Sequence, residues 1–452
     1  MLELIYMLSK IKKYLIKLFQ FLKSEFSKVI GNWKNRDNAA PVDEGFVVGL
    51  DIGTEYVKAL IGKINQDTSS IDIVGVGRVH QSLSDMQAGA ISDIASVVEN
   101  CDQALKEAEE QAGTSVRGSV IGIAGELVKG STITTKIIRP NPEESIDAIE
   151  MEKIIGLVQS KAEEKAKDQL NKETGGRDVN VRLVNSALVN IEIDGYVVTN
   201  PIGFQGKEVV VSLYTAFAPL IHIAALEKTA FELDLDLLAV AAEPFAVSRA
   251  VLGNKISQNF SAILIDIGGG TTDIAVVVDG GVQGTKMFGI GGRAFTKGIE
   301  RDLGVSYDMA ELLKVGLSEN TVPANKIAPV EASLNKTAKT WMGGIELALS
   351  EFTKLDHLPY RMFLCGGGSS LELLVEKLEE TDWYKNLPFT HKPSIHLIKP
   401  QQIADIKDMT EKVNDHTFIT AMGLLRVAGD TKQFDTKDNS TLRDKIDKML
   451  KV

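Results

Sequence analysis

The chain has 452 residues, of which 44% are apolar and 25% charged, and its formal net charge is −11. This length exceeds what one hydrophobic core normally serves, so we expect two or more domains in a globular protein of ordinary composition. The acidic total disfavours general binding to nucleic acid. With only two cysteines, Cys101 and Cys365, a disulfide framework is not expected, and a reducing cytoplasm fits.

The first 36 residues are basic, although the chain as a whole is acidic. They contain seven Lys and one Arg against two Glu, a charge of +6, which leaves −17 for the rest of the chain out of the total of −11. On a helix, residues 8–30 separate apolar side chains from lysines. The apolar face consists of Leu8, Ile11, Leu15, Leu18, Phe19, Leu22, Phe26, Val29 and Ile30.

This amphipathic helix, predicted within residues 1–30, has two possible roles. Lysines interrupt its apolar runs well short of the ~20 residues that a transmembrane helix needs, and their interspersed placement does not fit a cleaved signal peptide. It either packs on the protein's own core or in a coiled coil, or it lies in the headgroup layer of an anionic membrane. The polar segment 31–44 is typical of a linker and favours a detachable membrane anchor.

The following segments alternate between strand and helix patterns. The expected elements are strands at 46–64, 71–79 and Val116–Ile123, a helix over 91–112, a helix near 150–170, and strands at 181–193 and 207–217. The stretch from about 124 to 217 changes character and contains no catalytic cluster. We interpret it as a compact α+β insertion that binds partners.

The second half of the chain is built around glycine-rich turns. The predicted elements are helical structure over 219–255, a strand–turn–strand unit at 263–278, a helix after Gly289–Gly292, further helices to about 356, a strand at Arg361–Cys365 that runs into a glycine turn and a helix, and a last helix at 415–427. A polar tail at 430–439 and a short amphipathic segment at 442–452 follow.

The strand–turn–strand unit has the composition of a phosphate-binding turn. Its glycines Gly268–Gly270 let backbone N–H groups approach an anion closely, Thr271 and Thr272 add hydroxyl donors, and Asp266 and Asp273 place carboxylates at its edges. This combination suits a triphosphate with hydrated Mg²⁺, which needs only one or two protein carboxylates. A similar turn lies within 47–61, and the pair suggests two halves that close on one nucleotide.

One such turn alone is weak evidence, but three in this order match a family. Asp51-Ile-Gly-Thr54, Asp266-Ile-Gly-Gly-Gly-Thr-Thr-Asp273 and Gly366-Gly-Gly-Ser369 resemble the phosphate-1, phosphate-2 and adenosine motifs of the actin/heat-shock chaperone/sugar kinase superfamily. Ala242–Ala246 and Ala421–Leu425 resemble its two connecting helices. Within that superfamily the chain is similar to FtsA, the bacterial cell-division homologues of actin, because its segment 118–217 lies where FtsA carries an inserted 1C module.

The resemblance implies an α/β fold in which two ribonuclease-H-like halves surround a nucleotide cleft that holds ATP and Mg²⁺. The resemblance and the N-terminal pattern together predict the domain division of the chain. The expected parts are an amphipathic helix at 1–30, a linker at 31–44, subdomain 1A at 45–117 and 218–260, an inserted 1C subdomain at 118–217, subdomains 2A and 2B (2B short) at 261–427, and a polar tail with a short terminal helix at 428–452.

The family's site residues transfer to matching positions of this chain. Asp51 and Asp266 would orient the hydrated Mg²⁺, and Glu243 and Asp273 would position an attacking water. The nucleotide would be held by Asp51, Gly53, Thr54, Lys58, Asp266, Gly268, Gly269, Gly270, Thr271, Thr272, Gly291, Gly292, Lys297, Gly366, Gly367, Gly368 and Ser369. For Lys58 an exposed strand lysine is the alternative, and Glu243 has a purely structural alternative. ATP hydrolysis is expected to be slow at most.

The chain departs from the family at two places, so the identity of its binding partner stays open. The anchor stands at the N-terminus instead of the extreme C-terminus, and the region of subdomain 2B, which usually receives a peptide of the tubulin-like FtsZ, is short. In its short subdomain 2B the chain resembles PilM, the type IV pilus assembly homologue.

Together these features predict a peripheral protein on the inner face of the cell membrane that self-associates into filaments and binds an FtsZ-like protein, with a pilus scaffold as the alternative. A sugar or acid kinase is disfavoured because no substrate-domain signature is present.

Overall fold

The structure, a computed structural model, describes residues 45–65, 68, 70–253, 260–380 and 382–436, the last four by backbone alone. Contacts group the chain into two units. The larger, Gly45–Ala112 with Val116–Val452, holds all the elements below; the smaller, Met1–Glu44 with Gly113–Ser115, is described only at Gly113–Ser115. The predicted membrane helix within 1–30, the linker at 31–44 and the segment 442–452 lie outside the described residues.

The described strands are, in chain order, β1 Phe46–Ile52, β2 Tyr56–Ile64, β3 Ile71–His80, β4 Met86–Gln87, β5 Ala90–Ile91, β6 Gly118–Ile123, β7 Lys129–Ile138, β8 Val181–Ile193, β9 Tyr196–Val197, β10 Glu208–Pro219, β11 Asp236–Ala242, β12 Ala262–Ile267, β13 Thr272–Val278, β14 Gly281–Phe288, β15 Arg361–Cys365, β16 Ser394–Leu397 and β17 Ile406–Asp408. The α-helices are α1 Ile94–Ala112, α2 Ala148–Glu173, α3 Leu220–Glu232, α4 Glu243–Leu252, α5 Gly292–Leu303, α6 Tyr307–Ser318, α7 Ala324–Ser350, α8 Glu372–Glu379 and α9 Ile419–Thr436.

A six-stranded sheet forms the first half of the molecule, in the order β11-β6-β1-β2-β3-β17. Strand β1 is buried along its whole length, and helices α1, α4 and α9 pack against this sheet or each other. Apolar residues on both faces of β1, such as Val47 and Val48, are therefore part of one core. This explains why β1 has no polar side chain before Asp51, as expected for a strand covered on both sides.

A nine-stranded sheet carries the second half and the insertion, in the order β16-β15-β12-β13-β14-β7-β10-β8-β9. Strands β12–β16 share a separate core with helices α5–α8 that includes Phe295 and Trp341. Strands β7, β8 and β10 share a smaller core with α2 that includes Met151 and Val158. The two parts of the sheet meet at two residue pairs between β14 and β7, Gly284↔Ser131 and Thr285↔Gly130.

The structure differs from the sequence-based elements at two places. Residues 236–242, expected to be helical, form strand β11. Helix α3 ends at Glu232, Asp234 then has a left-handed conformation (φ 54°), and the segment that follows pairs in parallel with β6. Helix α9 continues past residue 427 to Thr436. There Lys432 Nζ donates to the carbonyl of Phe46 at 2.9 Å, a contact that sequence periodicity does not reveal.

The subdomain boundaries inferred from the resemblance stay predictions. Strand β6, at the start of the segment 118–217, pairs with β1 and β11 in the six-stranded sheet. Of the helices within the described residues, none is both long and apolar enough to cross a membrane.

Candidate functional site

A cavity of about 510 Å³ lies between the two halves, and the three predicted glycine turns all border it. The predicted residues that line the cavity are Asp51, Gly53, Thr54, Lys58, Glu243, Asp266, Gly268, Gly269, Thr271, Asp273, Gly292, Gly366, Gly367 and Gly368. Residues that are up to 317 positions apart in sequence, Asp51 and Gly368, thus meet in one place.

The first turn is the hairpin between β1 and β2. The Gly53 N–H donates to the Tyr56 carbonyl at 3.1 Å, which closes the turn. Asp51 and Lys58 are directly paired across the hairpin, and Lys58 Nζ contacts Asp51 Oδ2 at 2.9 Å. Burial lowers the pKa of Lys58, but the charge and hydrogen bond of Asp51, together with the charge of Asp266, raise the pKa overall. Lys58 is therefore a charged group with a side chain only 13% exposed, and the alternative of an exposed strand lysine does not apply.

The second turn is the hairpin between β12 and β13. The Gly268 N–H donates to the Thr271 carbonyl at 2.9 Å, and Thr271 Oγ1 donates to Asp273 Oδ2 at 2.9 Å. Thr272 has a structural role instead: its hydroxyl donates to the Ile290 carbonyl at 2.7 Å and accepts from Trp341 Nε1 at 2.9 Å. Thr272 is not among the residues that line the cavity.

Four buried carboxyl groups line the cavity together with Lys58: Asp51, Glu243, Asp266 and Asp273. Burial and the carboxylates of Asp51, Asp273 and Asp266 raise the pKa of Glu243 well above its usual value. Burial also raises the pKa of Asp266, and burial with the Asp266 charge raises the pKa of Asp273 to about 8. Among the residues that the structure describes, the buried Asp273 Oδ1 has no hydrogen-bond partner. Crowding of these carboxyl groups thus opposes their ionisation, and a cation bound beside them would favour the ionised forms.

The third turn follows β15 and packs tightly on β12. Gly366 has φ +79°, and a Cβ there would lie 2.0 Å from Asp266 Oδ1; a Cβ at Gly368 would lie 2.4 Å from Ile267 Cγ2. A Cβ at Gly367 would have nothing within 4 Å. Gly366 and Gly368 therefore permit close packing, whereas Gly367 faces open space in the cavity.

Some predicted residues lie outside the cavity wall, namely Gly270, Thr272, Gly291, Lys297 and Ser369. Ser369 is buried and donates its hydroxyl to the Cys365 carbonyl at 2.5 Å. Lys297 is exposed on α5. Gly270 and Gly291 serve packing, because a Cβ would lie 2.6 Å from Thr54 Oγ1 or 2.5 Å from the Gly268 carbonyl. At Gly270 and Gly291, therefore, glycine is required by the close packing of the turns.

The structure adds cavity residues that sequence reasoning missed. Thr420 at the start of α9 donates its hydroxyl to Asp266 Oδ2, next to the segment that resembles the second connecting helix. On α6, Lys314 Nζ contacts Glu311 Oε2 at 2.8 Å and Thr296 Oγ1 at 2.9 Å. Arg293 contacts the first turn from α5. None of these lies in a glycine motif, so the motif search did not find them.

Within the described residues, no group of three or more His, Cys, Asp or Glu side chains is arranged to hold a metal ion directly. The acidic oxygens around Lys58 nevertheless match the ligand preference of a hydrated Mg²⁺, which binds through one or two carboxylates and keeps several waters.

Comparison with known proteins places this geometry in context. Residues 263–423 match the family model described as "Cell division protein FtsA". A "Cell division protein FtsA" of Pseudomonas aeruginosa is 26% identical over 88% of this chain and 92% of its own length, and one of Neisseria meningitidis is 28% identical over 85% and 90%. A solved "PilM-PilN type IV pilus biogenesis complex" superposes with a TM-score of 0.61 at 16% identity, covering 86% of this chain and 99% of the other. The predicted α/β fold with two actin-like halves is confirmed.

Proposed function

We propose that this chain, an FtsA-like homologue of actin, is a cell-division protein that binds ATP in the cleft between its halves. The resemblance to FtsA predicted from the glycine turns is confirmed by the family match and by the curated relatives. The nucleotide proposal rests on one observation: three glycine turns and four carboxyl groups line a single cavity of about 510 Å³. This volume falls within the roughly 300–1,000 Å³ of small-molecule sites.

The triphosphate would lie between the first two turns. Gly53 and Thr54 border it from one half and Gly268, Gly269 and Thr271 from the other, where small residues let an anion approach the backbone. The buried Lys58 ammonium supplies positive charge at the same place. The open space at Gly367 suits the adenosine, and Glu311 and Lys314 line the cavity as polar partners for its hydroxyl groups.

The carboxyl cluster fits a hydrated Mg²⁺ bound with the phosphates. Asp51 and Asp266 would hold its water shell, because both are buried at the cavity wall and Asp266 is fixed by Thr420. The unpartnered oxygen of Asp273 supports a cationic occupant nearby. When bound, the metal neutralises phosphate charge, which favours the ionised forms of these carboxyl groups.

Glu243 and Asp273 would position a water molecule for slow hydrolysis. Both are buried at the cavity, and the pKa of each is raised, so each accepts a proton more readily than an ordinary carboxylate. We infer that nucleotide serves chiefly as a ligand that controls conformation and assembly.

We further propose that residues 8–30 tether the protein to the inner face of the cell membrane, where it self-associates into filaments and links an FtsZ-like protein to the membrane. The basic amphipathic pattern of this segment supports an anionic lipid partner. The pilus alternative has only fold similarity in its support, at 16% identity, and we do not propose it.

Nucleotide binding by the full chain tests the central proposal. We expect a fluorescent ATP analogue to bind in the presence of Mg²⁺ and to be displaced by ATP. Lys58→Ala should weaken binding about tenfold or more, because it removes a buried charge beside the phosphates. Lys297→Ala, an exposed lysine outside the cavity, is the matched control and should bind as the parent does. Failure of the parent to bind ATP, or equal loss in both variants, would refute the site.

A further inference from the structure

A buried arginine joins the two halves at the edge of the proposed nucleotide site. Arg293 belongs to α5 of the second half, and its side chain is only 9% exposed. Its Nη2 donates to the Thr54 carbonyl at 2.6 Å and its Nε to Glu55 Oε2 at 2.7 Å. Both acceptors lie in the first phosphate turn, in the other half. We call these contacts the Arg293 bridge.

The same arginine is attached to the second phosphate turn by its backbone. The Arg293 N–H donates to the Gly269 carbonyl at 2.8 Å, and the neighbouring Gly292 N–H donates to the Gly268 carbonyl at 2.9 Å. The first turn of α5 is therefore fixed to residues 268–269, while the guanidinium holds residues 54–55. One residue thus connects both turns that border the proposed phosphate position.

The two turns are in direct contact at this point. A Cβ at Gly269 would lie 3.0 Å from Glu55 Cβ, and one at Gly270 would lie 2.6 Å from Thr54 Oγ1. Glu55 is held from its own half by His80, whose Nε2 lies 2.8 Å from Glu55 Oε1. Just before α5, the Gly289 N–H donates to Glu126 Oε1, in the segment between β6 and β7, at 2.8 Å.

A buried guanidinium is stable only while its acceptors are present, since removal of charge-assisted hydrogen bonds leaves it without compensation. Separation of the two halves would withdraw the carbonyl and the carboxylate together. The bridge therefore favours the closed cleft.

We propose that Arg293 is a positioning residue that holds the cleft closed over the phosphates, so that rupture of its bridge to Thr54 and Glu55 controls nucleotide release. This inference rests on the proposed nucleotide site, because a closed cleft delays release only if the ligand lies between the two turns.

Nucleotide dissociation from the full chain, measured by chase of a bound fluorescent ATP analogue with Mg²⁺, tests the inference. We expect Arg293→Ala to accelerate dissociation about tenfold to a hundredfold, because the loss of a buried charge pair acts mainly on dissociation rates. Arg293→Lys, which keeps the charge without the planar fork, should give an intermediate rate. Glu55→Gln should accelerate release less than Arg293→Ala. Arg301→Ala removes an exposed arginine of the same helix, whose side chain is 65% exposed, and should leave the rate unchanged.

Hydrogen exchange of the nucleotide-free protein separates this inference from the nucleotide proposal. The amides of Gly53, Gly268 and Gly292 are hydrogen-bonded within the joined turns and should lose protection in Arg293→Ala but not in Arg301→Ala. If the parent protein binds no ATP, the nucleotide-site proposal is wrong. The loss of amide protection in Arg293→Ala would then still show that the Arg293 bridge holds the cleft closed. Folded Arg293→Ala with unchanged protection and an unchanged dissociation rate would overturn the inference, and so would equal effects in Arg301→Ala.

Discussion

The hydroxyl group of Thr420 donates a hydrogen bond to Oδ2 of Asp266, although the two residues are 154 positions apart. Thr420 lies in the first turn of α9, whose residues pack in the core of the first half, whereas Asp266 is the next-to-last residue of strand β12 in the second half. Both line the cavity. The contact fixes the orientation of one of the two carboxylates that we assign to the hydrated Mg²⁺, and it does so from the opposite half.

Removal of this hydroxyl should weaken metal-dependent nucleotide binding. We expect Thr420→Ala to raise the Kd for ATP with Mg²⁺ about tenfold, because a hydrogen bond to a charged group contributes roughly 1.5–3 kcal/mol. Thr420→Ser retains the hydroxyl and should bind nearly as the parent does. Isothermal titration calorimetry measures both. Thr431→Ala removes a hydroxyl that donates along the same helix, to the Val427 carbonyl at 2.7 Å, and serves as control. Equal affinities for Thr420→Ala and the parent would contradict the assigned role.

The carboxyl cluster should make the nucleotide-free protein less stable at alkaline pH. The pKa of Asp273 is raised to about 8, so its contribution to stability is complete below its ordinary pKa and is lost as the pH rises through the folded-state value. Glu243 and Asp266 shift in the same direction. We expect the free energy of unfolding to fall between pH 6 and 8 by up to about 1.4 kcal/mol per pH unit from Asp273 alone.

Urea unfolding of the parent and of Asp273→Asn across this range measures the effect. The asparagine cannot ionise, so the variant should lose much of the dependence on pH, and added Mg²⁺ with ATP should stabilise the parent more at pH 8 than at pH 6. A parent whose stability is flat or increases from pH 6 to 8 would show that these carboxyl groups are not titrating as described.

Two substitutions in the third glycine turn should affect folding and nucleotide binding differently. Gly366→Ala introduces a Cβ at φ +79° and 2.0 Å from Asp266 Oδ1, so we expect a loss of about 2–4 kcal/mol in the free energy of unfolding. Gly367→Ala adds a methyl group to open space and should leave stability within about 1 kcal/mol. It should nevertheless weaken ATP binding, because the methyl group enters the cavity. Thermal unfolding and ATP titration distinguish the two variants; the reverse order of stabilities would contradict this packing.

The basic N-terminal segment should account for lipid binding. Full-length protein should co-sediment with anionic vesicles, and deletion of residues 1–30 should abolish most of that binding. Lys10, Lys12, Lys13 and Lys17, changed together to Gln, should reduce binding strongly, since each lysine near an anionic surface contributes about 1 kcal/mol. Vesicles of neutral lipid are the control. Equal co-sedimentation of the full chain and the deletion variant would refute the anchor.

The sequence was informative wherever backbone shape and chemistry coincide in a short motif. Asp51, Asp266 and Gly366 could be predicted because strand, glycine and carboxylate occur within a few residues. Thr420 and Arg293 could not, because their roles come from tertiary contacts with distant residues. Strand β11 was missed for the same reason, since its partner β6 lies more than 100 positions earlier. Lys297 is near a motif in sequence, but the structure places it exposed on α5 and outside the cavity wall.

The junction between β14 and β7 has a consequence for biosynthesis. Strand β7 comprises residues 129–138, but the neighbour that covers one of its edges, β14, is completed only at residue 288. A ribosome therefore adds about 150 residues while that edge has no native partner, and exposed strand edges are sites of misassembly. We expect fragments that end before residue 281 to aggregate more readily than fragments that include β14.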